Sequence, residues 1–105
     1  MAEREKVKMP IFYIYGITRD DGDNSDPDAA IDKYYYIDSS DGKRYWDYRQ
    51  NVVNKVKAGS VKAYTYRNEK IGSVCVVRRS IFGTEFLKTL PDSDPTDNLS
   101  SLPEM

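Results

Sequence analysis

The sequence predicts a small, β-rich α+β domain: a mostly antiparallel five-stranded sheet with one helix, in the order β-β-α-β-β-β. Three observations carry this. Runs of β-branched and aromatic residues recur between clusters of Gly, Pro, Asp, Asn and Ser. A single stretch has helical spacing between recognisable end signals. The chain is 105 residues long, a single-domain length. Its 39% hydrophobic content and mean hydropathy of −0.71 require a compact core. Nine Tyr against three Phe suit a thin sheet whose faces are partly wet, because Tyr joins an apolar ring to a polar tip.

Residues 1–9, with Glu3, Arg4, Glu5, Lys6 and Lys8, read as a flexible leader, and residues 10–103 as one domain. Pro10 opens a strand from about Ile11 to Arg19. Phe12 and Ile14 share a face, whereas Ile17 has the opposite parity. Gly16 lies between them, and a bulge there would let Ile14 and Ile17 both point inward. Asp20 to Asp28 is a loop by local signals. Asp21, Asp23, Ser25 and Asp32 match calcium-loop positions 1, 3, 5 and 12, but Asp26 stands where a sharp-turn Gly is needed and Pro27 follows it. A solvated connection is therefore predicted, with no metal.

A second strand spans about Ile31 to Asp38, with Ile31, Tyr35 and Ile37 on one face and Tyr34 and Tyr36 on the other. Ser39 to Gly42 makes a turn, and Lys43 to Trp46 a brief extended segment. Asp47 is placed as the cap of a helix from Tyr48 to Ala58, with Gln50 at capping-box spacing. Tyr48, Val52 and Val56 form its apolar stripe, widened by Val53. Lys55 and Lys57 suit its last turn, and Gly59 its left-handed exit. Three strands follow, at about Val61–Tyr66, Ser73–Arg79 and Thr84–Leu90. The second reads as the most central, being apolar on both faces. Past Pro91 the composition is that of a disordered tail. Leu99 and Leu102, however, have the spacing of one helical turn, with Asp97 placed to cap it. The tail is expected to be ordered through Leu102 and to cover part of the sheet.

The chain has no His and a single Cys, Cys75. Ser-His and Cys-His nucleophile pairs, His-containing zinc sites, all-Cys metal sites and intrachain disulfides are thereby excluded. Neither an enzyme nor a cofactor is expected. The absence of a secretory pattern or long apolar run points to the cytoplasm, away from membranes. Net charge is −1 but unevenly spread. Residues 20–42 hold eight Asp and one Lys, giving −7, whereas residues 43–91 hold eleven basic and three acidic side chains, giving +8. Internal pairing between a basic sheet and acidic loops is the simpler reading of this asymmetry.

Phe86-Leu87-Lys88-Thr89, Asp92, Asp97-Asn98-Leu99 and Leu102-Pro103 resemble the closing signature of the bacterial domain-of-unknown-function family 3892. Ile14 to Gly22, Val52 to Gly59, Tyr64-Thr65 and Val74 to Val77 follow in similar order, so the resemblance covers about residues 11–103. The acidic insert Asp20–Asp28 and the tyrosine cluster depart from it. The resemblance implies the fold, with Leu99 and Leu102 packed on the sheet and Thr96 or Asp97 capping a turn. It implies no activity.

Two functions are consistent with these residues. The first is a non-enzymatic protein-interaction or accessory module, pairing a sheet edge with another protein. The alternative is a single-stranded nucleic-acid-binding module built on the basic, tyrosine-rich region 43–91. Its candidate surface is Lys62, Tyr64, Tyr66, Arg67, Lys70, Arg78, Arg79 and Lys88, cations interleaved with stacking rings. What separates the two is whether these side chains share a face that the helix leaves open.

Overall fold

A computed structural model describes residues 9–20, 26–90 and 98–105. The elements are β1 (Ile11–Arg19), β2 (Ile31–Asp38), β3 (Arg44–Tyr48), α1 (Arg49–Lys57), β4 (Lys62–Arg67), β5 (Lys70–Arg79) and β6 (Glu85–Thr89), then a 3₁₀ turn at Leu99–Ser101. They form one six-stranded mixed sheet in the order β3-β2-β1-β4-β5-β6. The five-strand expectation is short by one because Lys43 to Trp46 belongs to a full strand, which ladders with β2 from Lys33–Tyr48 to Ile37–Arg44. The sheet is not antiparallel throughout, since β1 and β4 run parallel from Ile11–Lys62 to Ile14–Thr65. The intervening β2, β3 and α1 supply the long connection that a parallel pair needs. The centre of the sheet is therefore β1 and β4 and not β5, whose apolar run reflects two half-covered faces.

The predicted bulge is present. Tyr15 is the extra residue between the Ile14–Tyr36 and Gly16–Tyr35 pairs, and both Ile14 and Ile17 are fully buried. A second irregularity, at Asp32 between the Thr18–Lys33 and Arg19–Ile31 pairs, corrects the reading of β2. It swings Ile31 onto the same side as Tyr34 and Tyr36, which are the buried tyrosines. Tyr35 and Ile37 face the other way.

The helix begins one residue later than predicted, and Asp47 does not cap it. Pairing with β2 holds Asp47 and Tyr48 extended, and Tyr48 precedes the helix with no side-chain cap. Asp47 Oδ1 instead accepts from the Tyr48 N–H and from Asn51 Nδ2. The exit is as expected. Gly59 takes φ 75°, its N–H donates to the Val56 carbonyl, and the Ser60 N–H donates to the Lys55 carbonyl. Val52 and Val53 are fully buried, Val56 packs at the rim of the core and Tyr48 is exposed.

The sheet coils until its far strand returns to β2. Four interstrand steps of about 4.8 Å would separate β2 and β6 by roughly 19 Å in a flat sheet, beyond the reach of one side chain. Yet the Leu87 N–H donates to the buried Tyr34 hydroxyl at 3.2 Å. Arg49 spans the same gap: its Nη1 donates to the Ile31 carbonyl at 2.7 Å and its Nε to the Glu85 carbonyl at 3.1 Å. The helix fills the space so enclosed, touching β2, β3, β5 and β6.

The chain end completes the core. Leu99 and Leu102 are buried in the same cluster as Ile14, Ile17, Tyr34 and Leu87. The Ile17 N–H donates to the Pro103 carbonyl, and the Met105 N–H to the Ile17 carbonyl, so the tail runs beside β1 where β4 has diverged. Residues 1–8 of the expected leader, Asp21, Asp23 and Ser25 of the calcium spacing, and the Thr96 or Asp97 cap lie outside the described residues.

Candidate functional site

Alternation along the strands sorts side chains onto two faces. The face toward α1 holds the core. On the opposite face, register aligns Arg44, Ile37, Tyr13, Tyr64 and Val74 across β3, β2, β1, β4 and β5. Beside this row lie Trp46 and Tyr35, then Tyr48 and Lys33, with Tyr15 on the same side as Tyr13 by alternation along β1. Tyr66 flanks Tyr13, their ring centroids 5.8 Å apart. Lys33 Nζ stands 4.7 Å from the Trp46 ring and 5.6 Å from that of Tyr48, and the Arg44 guanidinium lies 5.1 Å from the Tyr15 ring.

Three of the four strand acids take the other parity: Asp38 is opposite buried Phe12, Asp47 opposite buried Tyr34, and Glu85 alternates with Phe86 toward the helix. Asp32 sits at the irregularity of β2, between buried Ile31 and outward Lys33. Ion pairing follows the same division except at Lys88, which stands across from Val76 and alternates with buried Leu87 and Thr89. Arg19 pairs with Glu104, Lys57 and Arg79 with Glu85, and Lys88 with Asp26 and Asp28. Among the described residues, Lys33, Arg44, Lys62 and Arg67 have no carboxylate within ion-pair distance.

The predicted candidates are thereby divided. Lys62, Tyr64 and Tyr66 alternate with buried Ala63 and Thr65 and lie on the open face, with Arg67 at its margin. Lys70 sits across from Arg67 at the end of a hairpin whose turn residues, Asn68 and Glu69, both have positive φ. Arg78 is exposed, and its Nη1 donates to the Val77 carbonyl. Arg79 is held toward Glu85 on the helix side. Lys88 closes onto the 26–28 loop, 2.9 Å from Asp26 Oδ2, and these carboxylates raise its pKa, the Asp26 hydrogen bond most of all. Part of the charge asymmetry is therefore internal. Tyr13, Tyr15, Lys33, Tyr35, Arg44, Trp46 and Tyr48 were absent from the candidate surface because strand register, not sequence neighbourhood, brings them to it.

Two hollows border this face. One, of about 270 Å³, is apolar and lined by Met9, Val56, Val61, Ala63, Tyr64, Val74 and Cys75 among others. The other, of about 250 Å³, is lined by Tyr15, Ile37, Arg44, Tyr66, Arg67, Asn68 and Pro103. Arg67 Nη1 donates to the Ser101 carbonyl, so the chain end fixes one cation of this cleft, as Tyr15 fixes the other. No carboxylate lines it.

Three titratable groups elsewhere, Cys75, Tyr34 and Asp28, are enclosed. Burial pushes the Cys75 thiol and the Tyr34 hydroxyl up, and burial likewise raises Asp28 against the pull of Lys88. A thiol held neutral in this way is a poor nucleophile. Among the described residues no cluster of acidic or Cys side chains is placed to hold a metal ion, and no helix is long and apolar enough to cross a membrane.

No curated protein and no solved structure gives a significant match to this chain. A family model does match, from just before β2 through Pro103, a shorter span than the resemblance implied. That model describes the protein of unknown function DUF3892 and covers residues 30–103, and the chain belongs to this family.

Proposed function

We propose that the domain is a non-catalytic single-stranded nucleic-acid-binding module that lays its ligand across the open face of β3, β2, β1 and β4. The observation that carries this reading is the segregation of charge. The open face combines cations outside any ion pair with stacking rings, while three of the four strand acids, and the ion pairs other than those of Lys88, lie elsewhere. Base–aromatic stacking contributes about 1–3 kcal/mol per base, and neighbouring cations hold the phosphates. The net charge of −1 is a weak objection. Screening over roughly 8–10 Å leaves a ligand on this face governed by the charges beneath it. The cleft between Arg44 and Arg67 is the place where a phosphate meets two guanidinium groups at once.

Fluorescence anisotropy with labelled single-stranded DNA and RNA, and a duplex control, tests the proposal. Saturable single-strand binding that weakens with salt is expected. Arg44→Gln and Arg67→Gln should each lower the salt slope by about 1, and Tyr66→Ala should weaken binding roughly 5- to 150-fold. Absence of binding sinks the reading, as does equal binding by variants that melt like the parent.

A protein-interaction role is favoured by a different observation, the open edge of β3, which has its own consequence.

A further inference from the structure

The two edges of the sheet differ. The residues of β6 whose backbone groups face away from β5 are Glu85, Leu87 and Thr89, because the Ser80 N–H donates to the Thr84 carbonyl and the Leu90 N–H to the Val74 carbonyl. The Leu87 N–H is taken by Tyr34 and the Glu85 carbonyl by Arg49, and α1 packs alongside. That edge is closed.

The opposite edge is open. The Asp38 N–H donates to the Lys43 carbonyl, which fixes the alternation along β3. Residues 43, 45 and 47 turn their backbone groups toward β2, and Arg44, Trp46 and Tyr48 turn theirs outward. Tyr48 is satisfied locally, its N–H donating to Asp47 Oδ1 as the chain enters α1. Among the described residues, nothing hydrogen-bonds to the outward N–H and C=O groups of Arg44 and Trp46. No Pro interrupts the strand, and the Lys that flanks it, Lys43, has Asp47 as its counterpart at the other end. Its rings are out in solvent, with Tyr45, Trp46 and Tyr48 exposed by 42, 48 and 50%.

We propose that β3 pairs antiparallel with β3 of a second copy, with Tyr45 facing its own symmetry mate across the two-fold axis. This proposal does not rest on the nucleic-acid reading. The register follows from which backbone groups are free. Only pairing of Arg44 with Trp46 of the second copy, in both directions, uses those groups and no others. That register sets Arg44 beside a Trp ring and Lys43 opposite Asp47 of the second copy, twice over. Centring on Asp47 would instead oppose two carboxylates, and centring on Trp46 would call on the occupied groups of Tyr48. The strand is therefore complementary to itself in charge as well as in hydrogen bonding. A single open edge also limits the assembly, because joining two such edges leaves none, and growth stops at a closed dimer.

Sedimentation equilibrium of the full chain without nucleic acid, over a concentration series, gives the first readout. A monomer–dimer equilibrium is expected, with no larger species. Lys43→Asp, which opposes two acids in each half of the interface, should leave a monomer that remains folded by circular dichroism. The second readout is the register. Tyr45 pairs with its mate at a non-hydrogen-bonded site, where the Cα atoms come to about 4.5 Å, within disulfide range. Tyr45→Cys should therefore cross-link under mild oxidation, and Trp46→Cys should not. A parent that stays monomeric at its highest soluble concentration overturns the proposal. So do species beyond the dimer, a Lys43→Asp variant that still dimerises, or equal cross-linking at both positions.

Discussion

Asp28 is a carboxylate in an unfavourable position. It is 5% exposed, its Oδ1 has no hydrogen-bond partner, and its Oδ2 stands 3.7 Å from Lys88 Nζ, which lies closer to Asp26. Burial raises its pKa above the ordinary value, Lys88 only partly opposes this, and the neighbouring Asp26 adds to it. The sign for stability follows. A carboxyl whose pKa is higher in the folded state binds its proton more tightly there. Its contribution therefore falls as pH rises from the unfolded value, about 3.9, through the folded one, and at neutral pH the charge is a cost. Asp28→Asn should accordingly melt at or above the parent at pH 7. The gap should close as pH drops below the ordinary Asp range. Thermal melts of the two proteins from pH 3 to 7 check this, and a variant clearly less stable at pH 7 contradicts it.

At the scale of elements, closure of the sheet depends on few groups. Tyr34→Phe keeps the ring but leaves the Leu87 N–H buried without an acceptor, so a loss of about 1–3 kcal/mol is expected in urea unfolding. In α1, Val52→Ala should cost on the order of 1–3 kcal/mol and Val56→Ala less, because Val52 is fully buried and Val56 lies at the core's rim. A stripe drawn from Tyr48 through Val56 would rank them equally. What could be read from the sequence follows the same division. The extents of β1 and β2, the Gly16 bulge and the Gly59 exit have local causes, and all were readable. The irregularity at Asp32 and the parallel pairing of β1 with β4 depend on partners elsewhere in the chain and have no local mark, whereas β3 is legible as an extended segment at Lys43–Trp46 but not as a full strand through Tyr48. The residues of the open face divide in the same way. Tyr64, Tyr66 and Lys62 were found because they alternate within one strand, whereas Tyr13, Tyr15 and Arg44 join them only through register.

For the whole molecule, the last described segment is a structural part of the core. Leu99 and Leu102 are buried in it, Arg19 Nη2 donates to the Ser100 carbonyl, and Arg67 Nη1 donates to that of Ser101. Ending the chain after Leu90 would strip two core leucines, each ordinarily worth about 2–5 kcal/mol when truncated to Ala. It would also free the Arg67 end of the cleft. Such a protein should melt well below the parent and bind a hydrophobic dye. An unchanged melting temperature would mean that the core closes without the tail.

Cys75 offers a use for this arrangement. It is the only thiol in the chain, it is buried between β4 and β6, and its surroundings hold it protonated. Although Cys75 lines the apolar hollow, it is 3% exposed and held protonated, so a thiol-directed reagent reacts with it slowly until that part of the sheet opens. The rate of labelling therefore acts as a stopwatch for opening events, read from the native protein without denaturant and without an introduced cysteine.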